Sequence, residues 1–235
     1  MHLLLDAHTH TIASGHAYST VGEMIEAAKA KQLSLLGITE HAPKMPGTCG
    51  YIYFMNLKVI PRQYDQLNVL FGAEVNILDY QGNIDLSDEV TVGLDYLIAS
   101  LHTPCIKAGN EIENTNAFIG AMKHPKVSII GHPDDQRYPI NHKALVEAAK
   151  EYHVLLEINN SSLSPNSFRA NARENDLILL DYCKQYHVPV IAGSDAHIAS
   201  DVGNFTYVTK LFEESNFPEE LVANTSLSLF QSYIK

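Results

Sequence analysis

The chain has 235 residues, 12 of them histidine, and a net charge of -11 from 16 Lys+Arg against 27 Asp+Glu. Its length suits one sizeable α/β domain, expected over residues 1–235, and an acidic balance with no cluster of Lys and Arg excludes duplex nucleic acid as an expected partner. No run nears the ~20 apolar residues of a membrane span, the apolar start at 3–5 is too short for a signal peptide, and the widely spaced Cys49, Cys105 and Cys183 fit reduced thiols, so a soluble cytoplasmic protein is expected.

In chain order, apolar runs with strand character at 3–6, 33–39, 68–75, 95–100, 127–131, 154–159 and 188–193 alternate with amphipathic stretches. Those at 20–32, 114–123, 142–152 and 174–186 carry apolar residues at three- and four-residue spacing and read as helices. Residues 218–224 and 226–234 read as closing helices, and 42–66, containing MPGTCGY and VIPRQY, as a lid-like loop. No internal repeat or linker divides the chain. Such alternation predicts a parallel sheet or barrel with helices outside.

The residues that follow these runs carry the functional signal. After the first come His8 and His10, then His16; after the second, Glu40 and His41; the third ends at Glu74; His102, His132, then Asp195 and His197 follow the fourth, fifth and seventh. The sixth offers Asn159 and Asn160 in place of a strong ligand. In a parallel barrel the carboxyl ends of all strands open on one rim, where these side chains would converge.

His8 and His10, two residues apart, point to the same side of an extended segment, as do Asp195 and His197. Glu74 follows the apolar Phe71-Gly72-Ala73, and a buried carboxylate there needs a partner or a metal. Nine candidate ligands exceed the roughly three that one catalytic zinc takes from protein, so three ions are expected. A histidine-rich set without thiolate suits Zn2+ best, with Mn2+ or Fe2+ as alternatives. Three divalent ions bring about +6 against the two carboxylates, a well of about +4 that attracts an anionic, phosphorylated small substrate. A metal-bound water would then serve as nucleophile.

His2, His124, His142, His153 and His187 fall in or beside helical patterns or at the terminus and read as ordinary surface or packing residues. Glu40 reads as an outer partner of the site or a solvated charge, and Asp6 as an outer hydrogen-bond partner of His8 or His10. Among the loop cations Lys44, Arg62, Arg137 and Arg169, the first choices for gripping a phosphate are Arg62 and Arg137.

The ordered segments D-A-H-T-H with S-G-H-A-Y-S-T, I-T-E-H, G-A-E-V-N-I, S-L-H-T-P, I-G-H-P, E-I-N-N-S-S and G-S-D-A-H resemble the PHP (polymerase and histidinol phosphatase) family, most closely its YcdX-like phosphatases. The resemblance implies a distorted seven-stranded (β/α) barrel, TIM-barrel-like, with a trinuclear site, usually zinc, and phosphoesterase activity. It implies one ion on His8, His10, Glu74 and Asp195, a second on Glu74, His102 and His132, and a third on His16, His41 and His197. Histidinol-phosphate phosphatases of the family look less similar around HTHTIASGHAYST, and nothing here supports the nucleic-acid role of polymerase-linked members. The expected activity is therefore hydrolysis of a small organic phosphate ester. Alternatives are an amidohydrolase-like C-N hydrolase, a histidinol-phosphate phosphatase, and a metal-binding module without catalysis; the sequence is compatible with a homo-oligomer.

Overall fold

A computed structural model describes residues 1–235. The strands are β1 (Leu5–Asp6), β2 (Leu35–His41), β3 (Gln63–Tyr64), β4 (Leu67–Asn76), β5 (Leu97–Ser100), β6 (Val127–Ile130), β7 (Leu155–Asn159) and β8 (Val190–Gly193). Seven pair in parallel in the order β1-β2-β4-β5-β6-β7-β8, and β3 is a short antiparallel partner of β4 outside that ring.

The seam between β1 and β8 closes in two ways. At the carboxyl ends Thr9 bridges to Ala196, with His10 N donating to Ala196 O at 2.8 Å and Asp195 N to His8 O at 3.0 Å. Lower down, the Asn224 side chain takes the place of a strand: its amide donates to Leu5 O and Ala192 O, both at 2.9 Å, and its oxygen accepts from Ala192 N at 2.7 Å. The result is a nearly closed, distorted (β/α) barrel of TIM-like architecture.

The helices are α1 (Val21–Ala30), α2 (Tyr51–Asn56), α3 (Asp88–Thr91), α4 (Glu111–Met122), α5 (His142–Tyr152), α6 (Ala172–Tyr186), α7 (Thr206–Glu214) and α8 (Leu227–Tyr233). Capping boxes start two of them, Thr20 with Glu23 at α1 and Asn110 with Glu113 at α4, and the second places the start of α4 three residues ahead of the apolar pattern at 114. Two expectations need correction. Residues 218–224 do not form a closing helix: two 3-10 turns, Glu219–Leu221 and Ala223–Thr225, hold that segment, because Asn224 is committed to the barrel seam. The stretch 42–66 is not a bare loop but carries α2 and β3. The helix α7, outside every segment picked out from the sequence, forms because Val208, Leu211 and Phe212 bury one face.

Two apolar cores result. The larger lies between the sheet and the outer helices, and takes the outward residues of each strand, such as Val69, Phe71, Ala73 and Val75 of β4. The smaller fills the lower barrel interior with Leu5, Leu35, Tyr96, Ile98, Leu155 and Ile191, sealed by Phe230 and Tyr233 of α8. A side chain at Gly37 would collide with the Tyr96 hydroxyl, which donates to Ala7 O at 2.5 Å, so a glycine there makes room for the central aromatic. No helix is long and apolar enough to cross a membrane.

Candidate metal centre

Above that apolar plug the inward side chains change character. With Val69, Phe71, Ala73 and Val75 turned outward, alternation along β4 turns Glu74 and Asn76 into the barrel, and Glu74 is fully buried. Its Oε1 lies 2.9 Å from His132 Nε2 and 3.1 Å from His102 Nε2. Its Oε2 lies 2.7 Å from Nδ1 of His41, which is in register with Glu74 on the neighbouring strand, and 3.5 Å from Nε2 of both His8 and His10.

Asp195 brings a second carboxylate, with Oδ1 3.4 Å from His10 Nε2, 3.5 Å from His197 Nδ1 and 3.8 Å from His8 Nε2. His16 completes the group at the mouth, its ring centroid 4.8 Å from that of His41 and 5.0 Å from that of His197. All nine residues proposed from the sequence as ligands therefore share one cluster at the carboxyl ends of the strands. Two of them, His132 (φ 30°) and Asp195 (φ 54°), hold left-handed backbone, a conformation that costs a non-glycine residue about 1–3 kcal/mol and gathers at functional sites.

The fields in this cluster sort its members. Burial opposes charge on Glu74, but the imidazoles of His102, His41 and His8 outweigh it and hold the carboxyl well below its usual range. Asp195 is likewise held low against its burial by His8, His10, His197 and Arg169. Burial, with His41 and His197 beside it, keeps His10 well below the ordinary imidazole value, and burial takes His102 down to about 4. His8 goes the other way: burial lowers it, yet Glu157, Glu74 and Asp195 raise it further. Two carboxylates held ionised and faced by inward-turned imidazole nitrogens are a donor set suited to divalent cations.

The residues fit such ions on a further ground. His41 Nδ1 and Glu74 Oε2 approach to 2.7 Å, yet without hydrogen-bonding geometry, leaving both buried atoms without a partner. The Nε2 atoms of His8 and His10 face each other at 3.1 Å. Ligand atoms fall within 4.8 Å of one another in three overlapping groups: His8, His10 and Glu74; His41, Glu74 and His102; His10, His41 and His197.

Outer hydrogen bonds fix the ring directions. His10 Nδ1 meets Ser14 Oγ at 3.1 Å, and that hydroxyl donates to Glu40 at 2.6 Å; Glu40 is thus a buried outer partner, not a solvated charge. His102 Nδ1 donates to Asn76 Oδ1 at 2.7 Å, and Asn76 is itself held by Asp85 at 2.7 Å. His197 Nδ1 donates to Asp195 O at 2.9 Å, and His8 Nδ1 to Glu157 Oε1 at 2.6 Å.

Asp6 does not reach an imidazole. It accepts from the backbone N of Gly203, Ser194 and His8, at 2.8, 3.3 and 3.5 Å, and so shapes the turn that carries Asp195. The sixth parallel strand is also not without a strong group, because Glu157 and Asn159 of β7 both face inward. Sequence reasoning passed over Glu157, although the signal used for Glu74, a carboxylate inside an apolar run, is present in VLLEIN.

An open cavity of about 340 Å3 rises from this cluster, with Met45, Ser161, Phe168, Arg169 and Asp201 on its walls. The cation that reaches it is Arg169, whose guanidinium is 3.1 Å from Ser162 Oγ and 3.4 Å from Asp195 Oδ2. Arg62 does not belong here: it pairs with Asp95 and stacks on Phe71, and its carbonyl accepts from Val69 N, at the amino end of the strands. Five residues separate Val69 from Glu74 on β4, about 16 Å of strand. Arg137 stands outside the walls, locked on Asp135 through Nε at 2.9 and 3.0 Å and lying over the ring of Phe168.

The barrel thus gathers seven imidazoles and two carboxylates at the carboxyl ends of its strands, the rim on which parallel barrels carry their sites. The chain belongs to the PHP domain family, which it matches over residues 6–223. It is 44% identical over 235 residues to a protein of Caldicellulosiruptor saccharolyticus named "Probable phosphatase", covering 100% of this chain and 97% of the relative. A relative of the same name in Caldanaerobacter subterraneus is 46% identical over 236 residues, covering 100% and 92%. The solved structure of histidinol phosphate phosphatase from Lactococcus lactis, in complex with zinc, L-histidinol and phosphate, has the same fold, with a TM-score of 0.61 at 18% identity over 91% of this chain and 94% of that one.

Proposed function

We propose that this protein is a phosphomonoesterase dependent on three divalent ions, Zn2+ first, with Mn2+ or Fe2+ as substitutes, and that it hydrolyses a small organic phosphate ester. The observation that carries the reading is Glu74, a single buried carboxylate met by nitrogens of five imidazoles, two of which, His41 and His102, line an open cavity. The relatives named as phosphatases support it. His8, His10, Glu74 and Asp195 would hold one ion, Glu74, His102 and His132 a second, and His16, His41 and His197 the third. When bound, the ions supply Lewis acidity and water activated near neutral pH.

The chain itself supplies binding and orientation. Arg169, with only 8% of its side chain exposed, is held by Asp195, Ser162 and Asn159 and presents a fixed guanidinium to a phosphate oxygen at the cavity wall. Met45 and Phe168 line the path of the organic group and exclude water from it. The outer partners Glu157, Asn76 and the Ser14–Glu40 pair keep the rings aimed inward. We place the enzyme in the cytoplasm, where its three free cysteines remain reduced.

Phosphate release from p-nitrophenyl phosphate and a panel of phosphorylated metabolites, with and without chelator, tests the reading. Histidinol phosphate belongs in the panel, since the Lactococcus lactis structure holds L-histidinol and phosphate. Chelator-sensitive turnover supports the proposal. Fully metallated protein that turns over no phosphate ester, or that cleaves only amides, contradicts it.

A further inference from the structure

Glu157 opens the segment E-I-N-N-S-S, is 1% exposed, and stands outside the proposed ligand set. All its hydrogen bonds come from donors of the site. Oε1 accepts from His8 Nδ1 at 2.6 Å, and Oε2 accepts from His132 N at 2.8 Å and from Asn159 Nδ2 at 3.1 Å. Asn159 in turn donates to Asp195 Oδ2 at 3.3 Å. One carboxylate on β7 therefore ties together the segment after β1, the turn after β6 and, through Asn159, the turn after β8. Both of its oxygens are taken up by these donors, so its geometry is that of an orienting group, not of a ligand.

The neighbouring strand is shaped around it. Gly193 of β8 has an ordinary negative φ, so its backbone does not require glycine. A Cβ there would lie 1.8 Å from Glu157 Oε1 and 2.8 Å from its carboxyl carbon. The missing side chain of Gly193 is the seat of the Glu157 carboxylate.

We infer that Glu157, seated in the space left by Gly193, is the positioning residue that presents His8 Nε2 and the His132 ring to the metal centre and thereby sets its affinity for divalent ions. This inference rests on the metal-centre reading above.

Three physical reasons connect the geometry to that role. An imidazole that donates from Nδ1 to a carboxylate is locked in one tautomer, with the Nε2 lone pair turned inward and its basicity raised. Among the outer partners, only His8 has a carboxylate directly on its ring; His10 has a hydroxyl, His102 an amide and His197 a carbonyl. His132 holds its unfavourable backbone at φ 30°, and the hydrogen bond from its N–H to Glu157 fixes that peptide in place. As a buried carboxylate directly on the His8 ring, Glu157 also adds negative charge beside the proposed ions, which favours divalent cations there.

Zinc affinity, measured by competition with a chromogenic chelator on full-length Glu157→Ala, Gly193→Ala and the double variant, tests the inference, with thermal melts reporting the folded fraction. Glu157→Ala is expected to weaken zinc binding about 10–100-fold per folded molecule. Gly193→Ala, which leaves every donor and acceptor in place but pushes the carboxylate off His8, is expected to weaken it in the same direction. The double variant should bind no more weakly than Glu157→Ala, because both changes break one contact. In 15N NMR of the zinc-loaded wild type, the strongly hydrogen-bonded Nδ1 proton of His8 should be present, and it should vanish in both single variants.

Variants that melt earlier yet bind zinc as tightly as the wild type would overturn the positioning role and reduce Glu157 to a structural residue. Additive losses in the double variant would overturn the seat formed by Gly193. A wild type that shows this dependence of zinc binding on Glu157 but hydrolyses no phosphate ester supports the inference while breaking the phosphatase reading.

Discussion

The two ends of one barrel interior obey opposite rules. At the amino end of the strands, Leu5, Leu35, Ile98, Leu155 and Ile191 pack against Tyr96 and Phe230, with α8 as a stopper. At the carboxyl end His41, Glu74 and Glu157 on the strands and Asp195 just past β8 are buried but polar, with His102 just past β5 beside them. The first end lowers free energy by removing apolar surface from water. The second holds buried lone pairs without partners, a cost that the proposed cations would offset. Stability and chemistry are therefore stacked along one axis, and substitutions at the two ends should separate them.

The largest effect is expected at the upper end. Replacing Glu74 by Ala removes the one side chain shared by two of the proposed ion positions, and should lower both zinc content and phosphate release by more than the ~100-fold typical of an outer-partner loss. Elemental analysis and steady-state kinetics on the same preparation check this. Phe230→Ala at the lower end should cost about 3–5 kcal/mol of unfolding free energy in denaturant melts while leaving zinc bound per folded chain unchanged. If Phe230→Ala also strips the metal, the two ends are not separable as described.

Removing the ions with a chelator should abolish turnover and lower the melting temperature, and zinc at about 100 times its dissociation constant should restore roughly 2.7 kcal/mol. A smaller effect is expected from the wall of the cavity. Arg169→Ala loses a charge-assisted contact of about 1.5–3 kcal/mol, and should raise KM and weaken inhibition by free phosphate more than Arg137→Ala does. Smallest of all, Arg62→Ala should leave kcat/KM unchanged and cost no more than about 1 kcal/mol, since its partly exposed pair with Asp95 lies at the far end.

Much of this was legible in the chain because the ligands sit where strands end, and strand ends are marked by apolar runs. The seven parallel strands follow from that rule, and together with the family resemblance it picks out the nine residues that the fold brings into one cluster. What escaped the sequence depends on contacts between distant segments. Glu157 could be read as an inward residue by its alternation with Leu155 and Asn159, but its partner His8 lies 149 positions away. Nothing local distinguishes Arg169 from Arg62; only the fold shows one hydrogen-bonded to Asp195 and the other to Asp95. The short turns at 219–225 replaced an expected helix because Asn224 has a tertiary task in the barrel seam.

The most direct test is anomalous diffraction at the zinc edge from crystals of the zinc-loaded protein. The account predicts three peaks gathered at the carboxyl ends of the strands, two of them sharing Glu74. Zinc-loaded crystals with no peak there, or with peaks that leave Glu74 untouched, would contradict it.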